Sequence, residues 1–315
     1  MKLSEEEIRR IPLTGSPFFR VFIEQLNELI GNKYTIRVLI HNPQRGDKET
    51  AQKISKETAL ILWGDEYSQT FPKKYASNAG AVIKCYCPET WEKKGIIPIT
   101  DIAMNWDEEN KTPNIPCSKR PYTVMFSANL NYRRTDIYRG LSGRSFLYPF
   151  RISSNYPITG SYPFWHKVEA VIMHKCIMKW GGKFDFSELY PNSYIHFNMG
   201  FANGALSKEE YFHRLALSKV SWCTAGFMTN ETSRLLESCN AGCAIICGTL
   251  PNNDIFRNAP FIRMKDWRKV RKITDNLLAD EARLDELGVA SKQWYDTHFS
   301  PYAQARYVAR RLGLL

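Results

Sequence analysis

The 315-residue chain contains no C-x-x-C pair, no Asp-x-Asp triplet and no apolar run near the roughly 18 residues of a membrane span. Its first residues, MKLSEEEIRR, lack the basic and then apolar regions of a secretory leader. Without close cysteine pairs a structural zinc site is not expected. Without the triplet, a common carboxylate clamp for a divalent metal is missing. The absent leader and membrane span predict a cytoplasmic protein. No repeat at solenoid periods is present either, so a stacked array is not expected.

The eight cysteines show no small-domain spacing pattern. Cys243 and Cys247 sit in an apolar run, and Cys85 and Cys87 flank Tyr86 in a strand-like segment, so they read as reduced core thiols. A hydrophobic content of 43% over 315 residues is enough for real cores and for two domains. The formal charge is +11, spread over Arg9-Arg10, Lys73-Lys74, Arg133-Arg134, 265–272 and 306–311. A folded basic surface of that kind attracts nucleotide diphosphates, nucleic acid and anionic lipid alike.

Strand-like and helical segments alternate twice, a βαβ rhythm that predicts an α/β fold with mostly parallel sheets. In the first half a helix at 16–30 precedes strands at 34–41, 59–63 and 81–86, and residues 105–120 read as a linker. The second half reads as a strand at 122–128, a basic stretch at 129–144, a helix at 164–180 and a strand at 193–198. Helices at 207–218 and 231–240 and strands at 220–224 and 243–247 follow. A last helix opens at Ser300-Pro301, a cap followed by proline at the first helical position.

From Val220 the sequence VSWCTAGFMTNETSRLLESCNAGCAIICG parses as strand, loop, helix, tight turn and strand. Gly226 lies in the loop leading to the helix, whose unpaired N–H groups and dipole favour an anion such as pyrophosphate. Arg234 adds a forked cationic donor, and Ser233 a hydroxyl. Glu237, three residues on, shares the helix face and can accept hydrogen bonds from both hydroxyls of a ribose. The plainer reading is an exposed Arg234–Glu237 ion pair on an amphipathic helix. Against it, Asn240-Ala241-Gly242 and the apolar strand after it pin the helix at the carboxyl edge of a parallel sheet, where open α/β folds place ligands.

This run resembles the exostosin-like glycosyltransferases, through Cys223, Gly226, Ser233, Arg234, Glu237, Ala241, Gly242 and Cys243. The resemblance extends upstream to Glu210-Tyr211 and 215–219, and more loosely to FSANLNYRR at 126–134; it covers about half of the chain. It implies two facing Rossmann-like domains with parallel sheets, a GT-B-like fold. Residues 1–118 would be the acceptor side, 119–298 would bind the nucleotide sugar, and 299–315 would be a helix crossing back to the first domain. It implies transfer of a sugar from a nucleotide donor, a UDP-sugar in the first instance, to a glycan or glycolipid, with inversion. The missing Asp-x-Asp triplet, with arginines and a helix N-terminus able to stabilise the leaving diphosphate, predicts that no metal is needed. No cofactor is expected, the nucleotide sugar being a substrate.

In that picture Asn129 and Arg133 or Arg134 face the diphosphate from the loop after the second domain's first strand; the plainer reading of those arginines is an exposed basic loop. A base must deprotonate the acceptor hydroxyl. Asp65 is the first candidate, with Glu66 beside it, since both follow an apolar strand; His41, ending the strand before, is the third. A turn or helix-capping carboxylate is the plainer reading of Asp65. Two other classes compete. A retaining transferase of related fold would need a paired-glutamate motif, whose offset the six-position step from Glu231 to Glu237 does not match. A nucleic-acid-binding protein could use Tyr132-Arg133-Arg134 and Trp267-Arg268, but no familiar motif accompanies them. The charge would also suit an anionic membrane surface.

Overall fold

The computed structural model describes residues 2–11, 15–40, 54–63, 77–100, 115–130, 134–143, 182–198, 206–226 and 229–315, and the helical positions 175, 177 and 179. In chain order the first elements are α1 (Glu5–Arg10), α2 (Pro17–Ile30), β1 (Thr35–Ile40), β2 (Thr58–Trp63), β3 (Ala81–Lys84), α3 (Glu89–Glu92) and β4 (Ile97–Pro98). Next come β5 (Tyr122–Asn129), α4 (Thr135–Ser142), β6 (Tyr194–Asn198), α5 (Lys208–Ala216), β7 (Ser218–Cys223), α6 (Ser233–Asn240), β8 (Ala244–Cys247) and β9 (Ile262–Arg263). The chain ends with α7 (Val270–Leu278), α8 (Glu281–Trp294), a π-helical turn at Tyr295–Phe299, and α9 (Pro301–Arg311). Two compact units result: one of residues 1–111, 250–259 and 293–315, the other of 112–249 and 260–292.

The first unit carries a parallel sheet in the order β1-β2-β3-β4. All of β2 is buried, as expected of a parallel strand covered on both faces. The helix α2 starts at Ser16-Pro17 and turns Phe18, Phe19, Phe22, Ile23 and Leu26 inward, with Phe19 edge-on to Trp63 at 4.8 Å. Against it packs α9, which buries Ala305, Val308 and Ala309 and whose first turn is capped by the Ser300 hydroxyl. Gln304 locks α9 in place. Its side-chain oxygen accepts from the Thr100 N–H at 2.9 Å, and its amide donates to the Thr100 hydroxyl at 2.6 Å and the Phe299 carbonyl at 2.9 Å. The segment 250–259 is tied in by Asn253, which donates to the Cys87 carbonyl at 2.7 Å.

The second unit has a five-stranded parallel sheet ordered β6-β5-β7-β8-β9. One face carries the large side chains Phe126, Phe197 and Trp222, which form a core with Ile137 and Tyr138 of α4 and Val270 and Leu277 of α7. The other face meets α6 through small residues at β7. Ser221 meets Ser238 of α6 oxygen to oxygen at 2.7 Å, and such small side chains let the helix approach closely. Gly242 ends α6 with φ +62, the left-handed position that favours glycine.

Residues 115–120, expected as the end of a linker, belong to this unit. Cys117 and Arg120 are buried, and Arg120 donates to the Ser218 carbonyl at 3.0 Å. The basic stretch after β5 contains a helix, α4, where no element was expected. Of the helix expected at 164–180, only Lys175, Ile177 and Lys179 lie among the described residues. The seven described cysteines are buried and free.

Candidate functional site

The strand order of the second unit reverses once. The chain passes from β5 to β6 on one side and then to β7 on the other, so the ends of β5 and β7 form a topological switch point. Pairing shows the two strands parting there. The pairing of β5 with β6 runs to Asn129–Asn198, whereas with β7 its last pair is Met125–Ser221. Open α/β sheets hold ligands in such a crevice.

Arg134 spans this gap. It is buried, at 8% exposure, and its Nη1 donates to the Asn129 carbonyl at 2.5 Å while its Nε donates to the Thr224 hydroxyl at 3.1 Å. The first oxygen ends β5 and the second follows β7. The plainer alternative of an exposed basic loop does not hold for Arg134, which is a buried latch fixed by a partner 90 residues away. Asn129 itself is half-buried, and Arg133 lies outside the described residues.

The loop from β7 to α6 is also fixed. The Gly226 N–H donates to the Thr229 carbonyl at 2.7 Å, so that amide holds the loop's own turn. Asn230 donates to the Thr249 carbonyl at 2.7 Å, and a Cβ on Gly248 would fall 2.2 Å from the Asn230 Oδ1. Glycine at 248 thus lets the loop lie against the end of β8.

Thr232 precedes α6 without capping it, and its hydroxyl is buried with no partner among the described residues. Ser233 follows, half-buried, at the first helical position. Next comes Arg234, whose Nε is likewise buried and unpartnered. Such groups cost free energy unless a ligand or water meets them. The plainer alternative, an exposed Arg234–Glu237 ion pair, is not formed. Glu237 is buried, at 4% exposure, and its Oε2 accepts from the Tyr211 hydroxyl at 2.8 Å. Burial, then the neighbouring Glu237 charge, hold the Tyr211 phenol well above its ordinary value, so it remains a donor.

The structure thus brings Arg234, Ser233 and Glu237 together on α6, and Asn129 and Arg134 at the switch point. His41, Asp65 and Glu66 lie outside the described residues. Sequence reading missed the roles of Tyr211, Thr224 and Thr232 in this geometry. Their partners are distant in sequence or lacking, so no local spacing marks them. It also missed a polar chain beside β5, in which His196 Nδ1 meets Asn198 Oδ1 at 2.9 Å and the Asn198 amide donates to Ser127 at 3.1 Å. Among the described residues no group of three or more His, Cys, Asp or Glu side chains is placed to hold a metal ion, and no helix is long and apolar enough to cross a membrane.

No protein-family model matches the sequence, and no curated protein matches it. Solved structures are similar in fold. The chain is 10% identical to the N-terminal domain of trehalose-6-phosphate phosphatase from Candida albicans, with a TM-score of 0.51 over 94% of this chain and 75% of that one. A glycosyltransferase from Rickettsia africae is 10% identical, with a TM-score of 0.48 over 96% of each chain. HepE from Anabaena, solved with UDP and glucose, is 11% identical, with a TM-score of 0.47 over 82% of this chain and 72% of that one. Likeness at such identity is likeness of fold: α/β, of the GT-B kind, with two units built on parallel sheets.

Proposed function

We propose that the chain is a glycosyltransferase of the exostosin-like kind that moves a sugar from a UDP-sugar to a glycan or glycolipid acceptor. The observation that carries this reading is the buried, unpartnered Nε of Arg234 in the first turn of α6, the helix that follows β7. A half-buried cation whose Nε the protein has buried without a partner is prepared for an anion, and the N-terminus of α6 favours the same charge. A diphosphate supplies that anion. Glu237 on the same helix supplies an acceptor for ribose hydroxyls.

The chemistry follows from those groups. As the bond from the anomeric carbon to the diphosphate breaks, negative charge builds on the leaving oxygens, and Arg234 and the helix N-terminus stabilise it in a partly dry site. These donors stand in for a metal, so the proposed reaction proceeds without one. Asp65 is the proposed base that takes the acceptor's proton, with Glu66 and His41 as its alternatives. Direct attack then inverts the anomeric carbon. The proposed setting is the cytoplasm, with the +11 charge aiding contact with an anionic membrane surface that presents a glycolipid.

Thermal melts with a nucleotide panel test the reading. At a hundredfold excess over Kd, UDP should add about 2.7 kcal/mol of stability, and Arg234→Ala should abolish the gain while still melting cooperatively. A melting point moved only by oligonucleotides overturns the proposal. Transfer should persist in chelator; strict manganese dependence would remove the metal-free part.

A further inference from the structure

We infer that Tyr211 is the positioning residue for Glu237 and sets the preference of this site for a ribose over a 2′-deoxyribose nucleotide diphosphate. The inference rests on the donor-site reading above. Tyr211 lies on α5 and Glu237 on α6, 26 positions apart, so their 2.8 Å hydrogen bond joins two helices. An ionised carboxylate only accepts, and it has two oxygens. The phenol holds Oε2 and thereby fixes the plane and direction of Oε1.

Two hydroxyls of a ribose donate together to a carboxylate that is already oriented, whereas a free carboxylate must first lose its rotamer freedom. A 2′-deoxyribose offers one hydroxyl fewer and gains less from that orientation. Tyr211 is suited to the task because burial, and then the carboxylate beside it, keep its hydroxyl protonated. The α5 helix that carries it is itself anchored, with the Ser207 hydroxyl accepting from the Glu210 N–H at 3.1 Å. The competing explanation is a staple between α5 and α6 without a part in binding. A staple affects stability but treats both nucleotides alike.

The experiment measures binding of UDP and 2′-deoxy-UDP to the full chain and to Tyr211→Phe, Glu237→Ala and the double variant. The unaltered protein should prefer UDP. Tyr211→Phe should weaken UDP about tenfold and 2′-deoxy-UDP less than about twofold, as expected for a lost bond to a charged group. Adding Tyr211→Phe to Glu237→Ala should change nothing further. If the unaltered protein binds neither nucleotide, the donor-site reading fails and takes this inference with it. If it binds UDP but shows no ribose preference, or if Tyr211→Phe leaves the preference intact or weakens both nucleotides equally, the inference alone is overturned. Should Tyr211→Phe not melt cooperatively, Tyr211→His replaces it, because its ring N–H can still donate. Retained ribose preference there supports the inference, and equal loss for both nucleotides overturns it.

Discussion

The two units differ in how they hold their half-buried and buried cationic side chains and the polar groups around them. In the first, Gln304 uses its oxygen once and its amide twice, and Arg311 binds Glu92 at 2.8 Å, Asp254 at 2.9 Å and the Tyr307 hydroxyl at 2.7 Å. In the second, Arg120 and Arg134 are latched onto protein oxygens, but Arg234 keeps a buried Nε without a partner. Topology separates the units too. The described strands of the first sheet follow one another in sequence order, whereas the second sheet reverses between β5 and β7. The satisfied clusters hold elements together, and the unsatisfied cation belongs to the unit whose strand order opens a crevice. Open polar groups occur in both units, since the Ser16 hydroxyl and the Trp294 ring N–H of the first are also buried without a partner among the described residues; what singles out Arg234 is its positive charge and its place in the first turn of α6.

The sharpest break of that contrast is Gln304→Ala. It removes the hydrogen bonds to the Thr100 N–H and hydroxyl and the Phe299 carbonyl, all around α9, and should cost about 3 kcal/mol in urea denaturation. The stabilisation by UDP should survive, because Gln304 belongs to the first unit. A variant that lost the nucleotide response along with stability would erase the distinction between the units. Arg134→Lys comes next. An ammonium on a single stem cannot reproduce a fork that reaches the ends of β5 and β7 at once, so a loss of about 1.5 kcal/mol is expected, together with weaker UDP binding. Unchanged values for both would reduce the latch to an incidental contact.

How far the sequence reveals this contrast depends on how local each feature is. The helix α2 is legible from Ser16-Pro17 and the helical spacing of its apolar residues, and β7, α6 and β8 from a strand–loop–helix–strand pattern ending at Gly242. The two-residue strands β4 and β9 are too short to show a period. The helix α4 hides in a run of charge, because its buried face is only Ile137, Tyr138 and Leu141. Arg234 and Glu237 are legible as candidates, but not as a half-buried cation with a buried Nε beside a carboxylate engaged elsewhere. That outcome depends on Tyr211, and the burial of Arg134 depends on Thr224. Contacts of that length leave no trace in local spacing.

Alkaline pH tests the second unit with a smaller effect. Burial raises the thiols of Cys117 and Cys223 and pushes Cys243 up to about 12, against an ordinary value of 9.0. Unfolded thiols ionise above about pH 9 while the folded ones stay protonated, so the unfolded state binds fewer protons and stability falls as pH rises through that range. Urea midpoints recorded from pH 8 to 10.5 should decline, and Cys243→Ala should flatten the decline even though it lowers the starting value by leaving a small cavity.

The first unit offers the smallest effect, and at the opposite end of the pH scale. His298 stacks on Trp294 with ring centroids 3.8 Å apart, and burial lowers its pKa below the ordinary 6.5. Below about pH 6.5 the unfolded chain takes up a proton that the folded chain resists, so the unfolded state binds more protons and stability is lost as pH falls. His298→Gln should remove that part of the slope between pH 6.5 and 5 while leaving the alkaline limb as it was. A slope unchanged by the substitution would assign the acid sensitivity to carboxylates instead, and the π-helical turn that carries His298 would then have no part in it.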